Sequence, residues 1–256
     1  MTFVNPLLAR WAAGRPTYGG WLSTSEPLIA DFLAAAGFDE ICADQQHGSI
    51  DLHTIGPLFA TLTSHGVWPT TRVATNDKMA IGKSLDMGAL GVIVPMVNTA
   101  DEAAALVAAC RYPPAGNRSI GPTRAIYTIG LDLGDLARVA AIAMIETAEG
   151  LANVEAIART PGLDAVYIGP GDLAIALGIP VIPDARSAEA RRAHEAAIER
   201  ILRAAEGAGI VPGMYVGTGL ESRRRVAQGF RMVTVAWDAG LLEDGGRAEM
   251  LAARGE

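Results

Sequence analysis

Two carboxylates and their neighbours carry the chemistry open to this sequence. In the stretch AIAMIETAEGLANVEAIARTPGLDAVYIGPGDL, residues 141–173, Glu146 closes the apolar run Ala141–Ile145. Asp172 follows Ala165–Pro170 in a turn with Gly169 and Gly171. The run–helix–run pattern predicts two buried parallel strands. Acids at their carboxyl ends stand on the rim where α/β proteins bind ligands. Carboxylates gathered in a dry place hold a divalent cation or run acid/base chemistry, because leaving them unpaired is costly. Other strand ends add Asp44, followed by Gln45, Gln46 and His47, and then Arg72. A lone histidine or arginine at a strand end is commonly structural. Four strands converging on one mouth read as a site.

Two carboxylates are too few to enclose Mg²⁺ or Mn²⁺, so the ion would keep positions open for water and substrate. A 2-oxo acid fills two such positions with its keto and carboxylate oxygens. The cation then acts as a Lewis acid when the adjacent carbon loses a proton or a C–C bond breaks. Arg72 can donate to the developing enolate oxygen. The amides of Gly171 and Asp172 can hold the substrate carboxylate, and His47 is the natural proton carrier. Imine chemistry needs a lysine at the site. Lys78 and Lys83, the chain's only lysines, fall in or near the third helix rather than at a strand end.

These groups must be positioned by regular elements, and apolar β-rich runs alternate with Ala-rich helical stretches along the chain. Strands are expected at Thr17–Ser23, Glu40–Asp44, Trp68–Val73, Gly91–Val97, Ala141–Glu146, Ala165–Gly169, Ile210–Val216 and Phe230–Ala236. Helices are expected near Glu26–Ala36, Asp51–Ser64, Asp77–Met87, Ala100–Ala109, Ala148–Arg159, Ala188–Ala208, Leu220–Gln228 and Gly240–Ala253. Eight near-continuous apolar strands, each followed by a helix, describe an α/β fold closed as a single (β/α)8 TIM barrel over residues 1–256. A doubly wound open sheet is the alternative, but the strand count and the length favour closure. Two stretches exceed an ordinary connection. Arg111–Gly134, rich in Pro and Gly, reads either as an oligomer contact or as a functional loop. Ala176–Ser187 follows the sixth strand on the rim of Asp172 and can cover the site.

Composition excludes several classes. The chain is 50% hydrophobic and 19% charged, with a net charge of −7 and no basic patch, which argues against nucleic acid as a partner. Arg223–Arg225 reads as a solvated helix face. Cys42 and Cys110 form neither a disulfide framework nor a zinc motif. No apolar run approaches a membrane span, and the N-terminus lacks a signal-peptide pattern, so the expected location is the cytoplasm. His53, His65 and His194 fall in helical stretches away from the strand ends, where packed or solvated roles are expected, and Trp21 can wall the pocket.

The segments GGWLSTSEP (19–27), AGFDEICADQQHG (36–48), TRV (71–73), LDMGALGVIVPMVNTADEA (85–103), RYPPAGNRSIG (111–121), MIET (144–147) and IGPGDLA (168–174) occur in collinear order. In these the chain resembles the metal-dependent class II pyruvate aldolases of the 4-hydroxy-2-oxoheptanedioate aldolase family, which includes 2-keto-3-deoxy sugar-acid aldolases. The resemblance implies that Glu146 and Asp172 bind the metal (Mg²⁺, Mn²⁺ or Co²⁺) and that Arg72 stabilises the pyruvate enolate. It implies that His47 is the acid/base residue, assisted by Asp86, with Asp44 on the catalytic rim. The amides of Gly171 and Asp172 would take the substrate carboxylate. It further implies a homohexamer, a dimer of trimers that exchanges the last helix between subunits. The chain departs from the family where Gln46 replaces an acid beside the base and where Met144 replaces a Gln; the loop after Arg118 also looks shorter. The expected reaction is reversible cleavage of a 4-hydroxy-2-oxo acid to pyruvate, or hydroxypyruvate, and an aldehyde. The rival readings are a related acyl-CoA lyase and a catalytically silent barrel that binds oxo acids.

Overall fold

The computed structural model describes residues 4–129, 134 and 138–255. Eight parallel strands close into a barrel in sequence order: β1 Thr17–Leu22, β2 Glu40–Asp44, β3 Trp68–Arg72, β4 Gly91–Val94, β5 Ala140–Ile145, β6 Ala165–Ile168, β7 Val211–Tyr215 and β8 Met232–Trp237. The open-sheet alternative is thereby set aside, since β8 pairs back onto β1 with Thr17 opposite Met232. No helix among the described residues is long and apolar enough to cross a membrane.

Side chains alternate between the two faces of a strand, so each strand feeds two apolar layers. On β2, Ile41 and Ala43 join the layer between barrel and helices, while Cys42 joins the layer inside the barrel. The same alternation sends Ile142 and Met144 of β5 and Tyr167 of β6 inward. The same alternation aims Asp44, at the end of β2, and Glu146 and Gly169, one step past β5 and β6, at the barrel mouth. The register completes the alignment by setting Asp44 opposite Arg72 on neighbouring strands.

Strand and helix positions follow the sequence pattern closely, with some instructive differences. The fourth strand stops at Val94 instead of reaching Val97 because Met96 takes a left-handed backbone conformation with φ of 57°. The helix expected over Ala148–Arg159 is two, Ala148–Ala152 and Val154–Ala158. They meet at Asn153, whose side-chain amide donates to the Asn98 carbonyl at 2.8 Å, a long-range contact that ties the junction to another connection. A helix not expected from the pattern, Pro6–Ala12, closes the barrel floor with Leu7 and Trp11. Its cap residue Asn5 accepts from the Leu7 amide and donates to the Leu90 and Arg138 carbonyls. The long connection after β4 contains a helix, Thr123–Ile129, while its residues 130–133 lie outside the described residues.

Candidate active site

A cavity of about 370 Å³ opens at the carboxyl end of the barrel, with Trp21, Asp44, His47, Arg72, Met144, Gly169, Gly171, Asp172 and Tyr215 among its walls. At its base Arg72 and Asp44 form a buried two-point ion pair. Nε donates to Oδ1 at 2.9 Å and Nη2 to Oδ2 at 2.6 Å. The Trp21 indole N–H adds a bond to Asp44 Oδ2 at 3.2 Å, and the Gln46 amide one to Oδ1 at 3.0 Å. Burial alone would raise the Asp44 carboxyl, but the bonds and charge of Arg72 outweigh it and hold the pKa below the ordinary value. Asp44 therefore stays ionised and fixes the guanidinium plane, a geometry only a forked donor can make. Nη1 of Arg72 points to Met144 Sδ at 4.0 Å, so this nitrogen faces the cavity rather than Asp44. The Arg72 guanidinium also lies 5.0 Å from the Trp21 ring centroid.

Glu146 is buried and is not among the residues that line the cavity. Its Oε1 accepts the Met96 amide at 2.9 Å, the bond for which the chain adopts its positive φ. Its Oε2 is buried with no hydrogen-bond partner among the described residues. Burial, helped by the charge of Asp172, pushes its pKa up to about 7 against the pull of the Met96 amide and Arg72. A Cβ at Gly169 would fall 2.4 Å from Oε2, so only glycine leaves this oxygen room. Asp172 is exposed in the first turn of the helix Pro170–Ala176. The first bond of that helix runs from Leu173 N–H to Gly169 O, so the amides of Gly171 and Asp172 precede the ladder.

Two acids whose charges oppose each other, one with an orphaned oxygen, fit a divalent cation that keeps several positions open. Among the described residues no cluster of three or more His, Cys, Asp or Glu could enclose an ion.

His47 stands exposed at the mouth of the cavity, its amide 3.4 Å from Asp44 Oδ1. Gln45 turns away, donating to Thr71 Oγ1 at 2.9 Å and Ser84 Oγ at 2.8 Å. Asp86 does not join the group. It ends the helix Lys78–Asp86 and pairs with Arg118 at 2.9 Å, lining a different cavity with Lys78 and Lys83. Tyr215 is a wall that the sequence pattern left unassigned, although it is an inward position at the end of β7. Its ring packs edge-on against Trp21 with centroids 5.7 Å apart, and burial pushes its phenol to about 12, so it is neutral. Ser23 and Trp237 close the side where β1 meets β8. There Asp238 accepts from the Ser23 and Thr24 amides and hydroxyls at 2.6–3.1 Å.

Residues 17–244 match the family model described as HpcH/HpaI aldolase/citrate lyase. A hydroxypyruvate/pyruvate aldolase of Rhizorhabdus wittichii is 38% identical over 255 residues, covering 98% of this chain and 99% of its own. A 4-hydroxy-2-oxovalerate aldolase of Rhodococcus jostii is 37% identical, covering 98% and 96%. Among solved structures, an HpcH/HpaI aldolase/citrate lyase family protein of Burkholderia cenocepacia superposes with a TM-score of 0.86. It is 30% identical, with 98% and 100% of the two chains covered.

Proposed function

The chain belongs to the HpcH/HpaI aldolase/citrate lyase family and is a carbon–carbon lyase, and on that premise we propose how its rim residues divide the work. The reaction is reversible aldol cleavage of a 4-hydroxy-2-oxo acid to pyruvate, or hydroxypyruvate, and an aldehyde. The observation that carries this reading is the convergence of Arg72, Asp44, His47 and Asp172 on one cavity, with the unpartnered Glu146 oxygen behind it.

Glu146 and Asp172 would hold a divalent cation (Mg²⁺, Mn²⁺ or Co²⁺), which supplies Lewis-acid polarisation of the 2-oxo group when bound. The amides of Gly171 and Asp172 take the substrate carboxylate. His47 removes the proton of the C4 hydroxyl, the C3–C4 bond breaks, and its electron pair moves onto the C2 oxygen as an enolate. Nη1 of Arg72 donates to that oxygen, and Asp44 keeps the guanidinium from following the substrate out of line. Protonation of C3, with His47 returning the proton, gives the methyl group of pyruvate. Trp21 and Tyr215 supply apolar walls that limit water at the forming enolate. The same groups run the condensation in reverse.

Asp86 and His47 of one chain line different cavities, so the reading assigns any assistance from Asp86 to the Asp86 of a neighbouring subunit. The homohexamer with exchanged last helices supplies such a boundary. It is supported by the helix Asp238–Arg254, which packs on the barrel only at its start and leaves Leu241, Leu242, Met250 and Leu251 exposed. A cytoplasmic location is consistent with the free, buried Cys42 and Cys110.

The test is proton NMR of pyruvate in D₂O with protein and Mg²⁺, before and after chelation. Metal-dependent loss of the methyl signal is expected. Absence of exchange with every divalent ion, alongside turnover of an acyl-CoA substrate, would move the chain to the acyl-CoA lyase reading. Pyruvate binding without exchange would make it a silent binder.

A further inference from the structure

The turn that bears Asp172 is poorly supported by its own helix. Its cap position is Gly169, which makes no side-chain capping bond, and the Glu146 oxygen 2.4 Å from where a Cβ would sit forbids a Ser, Thr, Asp or Asn cap there. Pro170 and Gly171 line both the candidate active site and a second cavity of about 550 Å³, so the turn is a thin wall with open space on either side. What braces it from behind is His194. This residue lies on the helix Ala188–Ala208, is 4% exposed, and donates from Nε2 to the Pro170 carbonyl at 3.0 Å.

The tautomer follows from the partners. Arg186 donates from Nη1 to His194 Nδ1 at 2.9 Å, and arginine has no acceptor, so the proton of the neutral imidazole must sit on Nε2. Burial and the Arg186 charge both hold that imidazole neutral. Arg186 is itself tied to the excursion after β6, donating from Nε to the Pro180 carbonyl at 2.6 Å and from Nη2 to the Val181 carbonyl at 2.8 Å. A continuous chain of hydrogen bonds thus runs from the excursion, through Arg186 and His194, to the residue two before Asp172.

We infer that His194 is a positioning residue for the Asp172 turn, and that the Arg186-anchored excursion sets His194 rather than simply roofing the cavity. The inference rests on the reading that Glu146 and Asp172 hold a divalent cation. Residues behind a metal ligand typically cost about 10–100-fold in metal affinity when removed.

The experiment measures Mn²⁺ affinity by titration calorimetry on the full-length protein and on His194→Gln and His194→Asn. Far-ultraviolet circular dichroism and thermal melting are followed in parallel. The glutamine amide nitrogen reaches the place of Nε2 and keeps the donor to Pro170, whereas the asparagine amide ends near Nδ1 and loses it. Expected is Mn²⁺ affinity within about threefold of wild type for the glutamine variant and about tenfold or more weaker for the asparagine variant, both folded. With saturating Mn²⁺, kcat of the asparagine variant recovers while the Mn²⁺ requirement stays raised. Equal affinity in both variants, whether intact or lost, overturns the inference while wild-type binding leaves the cation reading standing. Failure of wild type to bind Mn²⁺ overturns both.

Discussion

At the scale of the residue, the cavity is governed by pairs in which one member exists to hold the other. Asp44→Asn removes the charge that fixes Arg72 while leaving the arginine buried. Breaking a buried pair on one side costs about 3–5 kcal/mol, so the variant should melt lower. It should also exchange pyruvate methyl protons on the order of 10²-fold more slowly, since the donor to the enolate oxygen loses its orientation. An Asp44→Asn protein with wild-type exchange would detach Arg72 from enolate formation. Gly169→Ala tests the other pair. Its added methyl meets Glu146 Oε2, and calorimetry should show divalent-ion affinity falling at least tenfold with the fold intact. Undiminished affinity would remove Glu146 from the ligand set. These roles were only partly legible beforehand. Alternation along β2, β3 and β5 brings Asp44, Arg72 and Glu146 to one rim, and that much is readable from apolar periodicity. That Glu146 is buried off the cavity wall that Met144 lines, and that Asp86 spends its carboxylate on Arg118, depends on side-chain packing between distant segments. Periodicity carries no such information.

At the scale of the element, the strands were the readable part because each is a short apolar run between glycines, prolines and acids. The helix Pro6–Ala12 was not, since seven residues ahead of the first strand carry too little periodicity to announce themselves. The break at Asn153 was hidden too, because the group that makes it is the Asn98 carbonyl on another connection. One strand residue sets a condition on stability. Glu40 starts β2 facing the barrel interior, wholly buried, with Oε2 accepting from Thr70 Oγ1 at 2.5 Å and Oε1 against Gly19. Burial pushes its pKa from 4.5 to about 8, only partly offset by the Thr70 hydroxyl. A pKa raised on folding means the native state holds a proton that the unfolded chain releases. The contribution to stability is complete below about pH 4.5 and is lost as pH rises through 8. Urea midpoints should therefore fall between pH 5 and pH 8 in wild type, and Glu40→Gln should flatten that slope. An identical slope in the variant would assign the dependence to other groups.

At the scale of the whole molecule, the barrel leaves much of its last described helix uncovered. The helix Asp238–Arg254 exposes Leu241, Leu242, Met250 and Leu251 along its length, and a helix with that apolar surface in water is stabilised by covering it. Leu242→Glu with Leu251→Glu should reduce the mass seen by light scattering from the assembly to a smaller species. If Asp86 acts across the boundary, proton exchange should fall with it. A monomer with full exchange would make each barrel self-sufficient.

The seam between the first and last strands has a consequence for how the protein is made. Trp21 and Ser23 come from the first strand and the loop after it, Trp237 from the eighth, and Asp238 clasps the Ser23–Thr24 loop to that last strand. While the ribosome is still reading the preceding codons, Arg72, Glu146 and Asp172 are all present, yet β1 has no eighth neighbour and the cavity lacks a wall. A half-made chain is therefore an open sheet with two free edges, the state most exposed to wrong pairing. Closure of the barrel and completion of the cavity wall therefore both wait on β8 and Asp238.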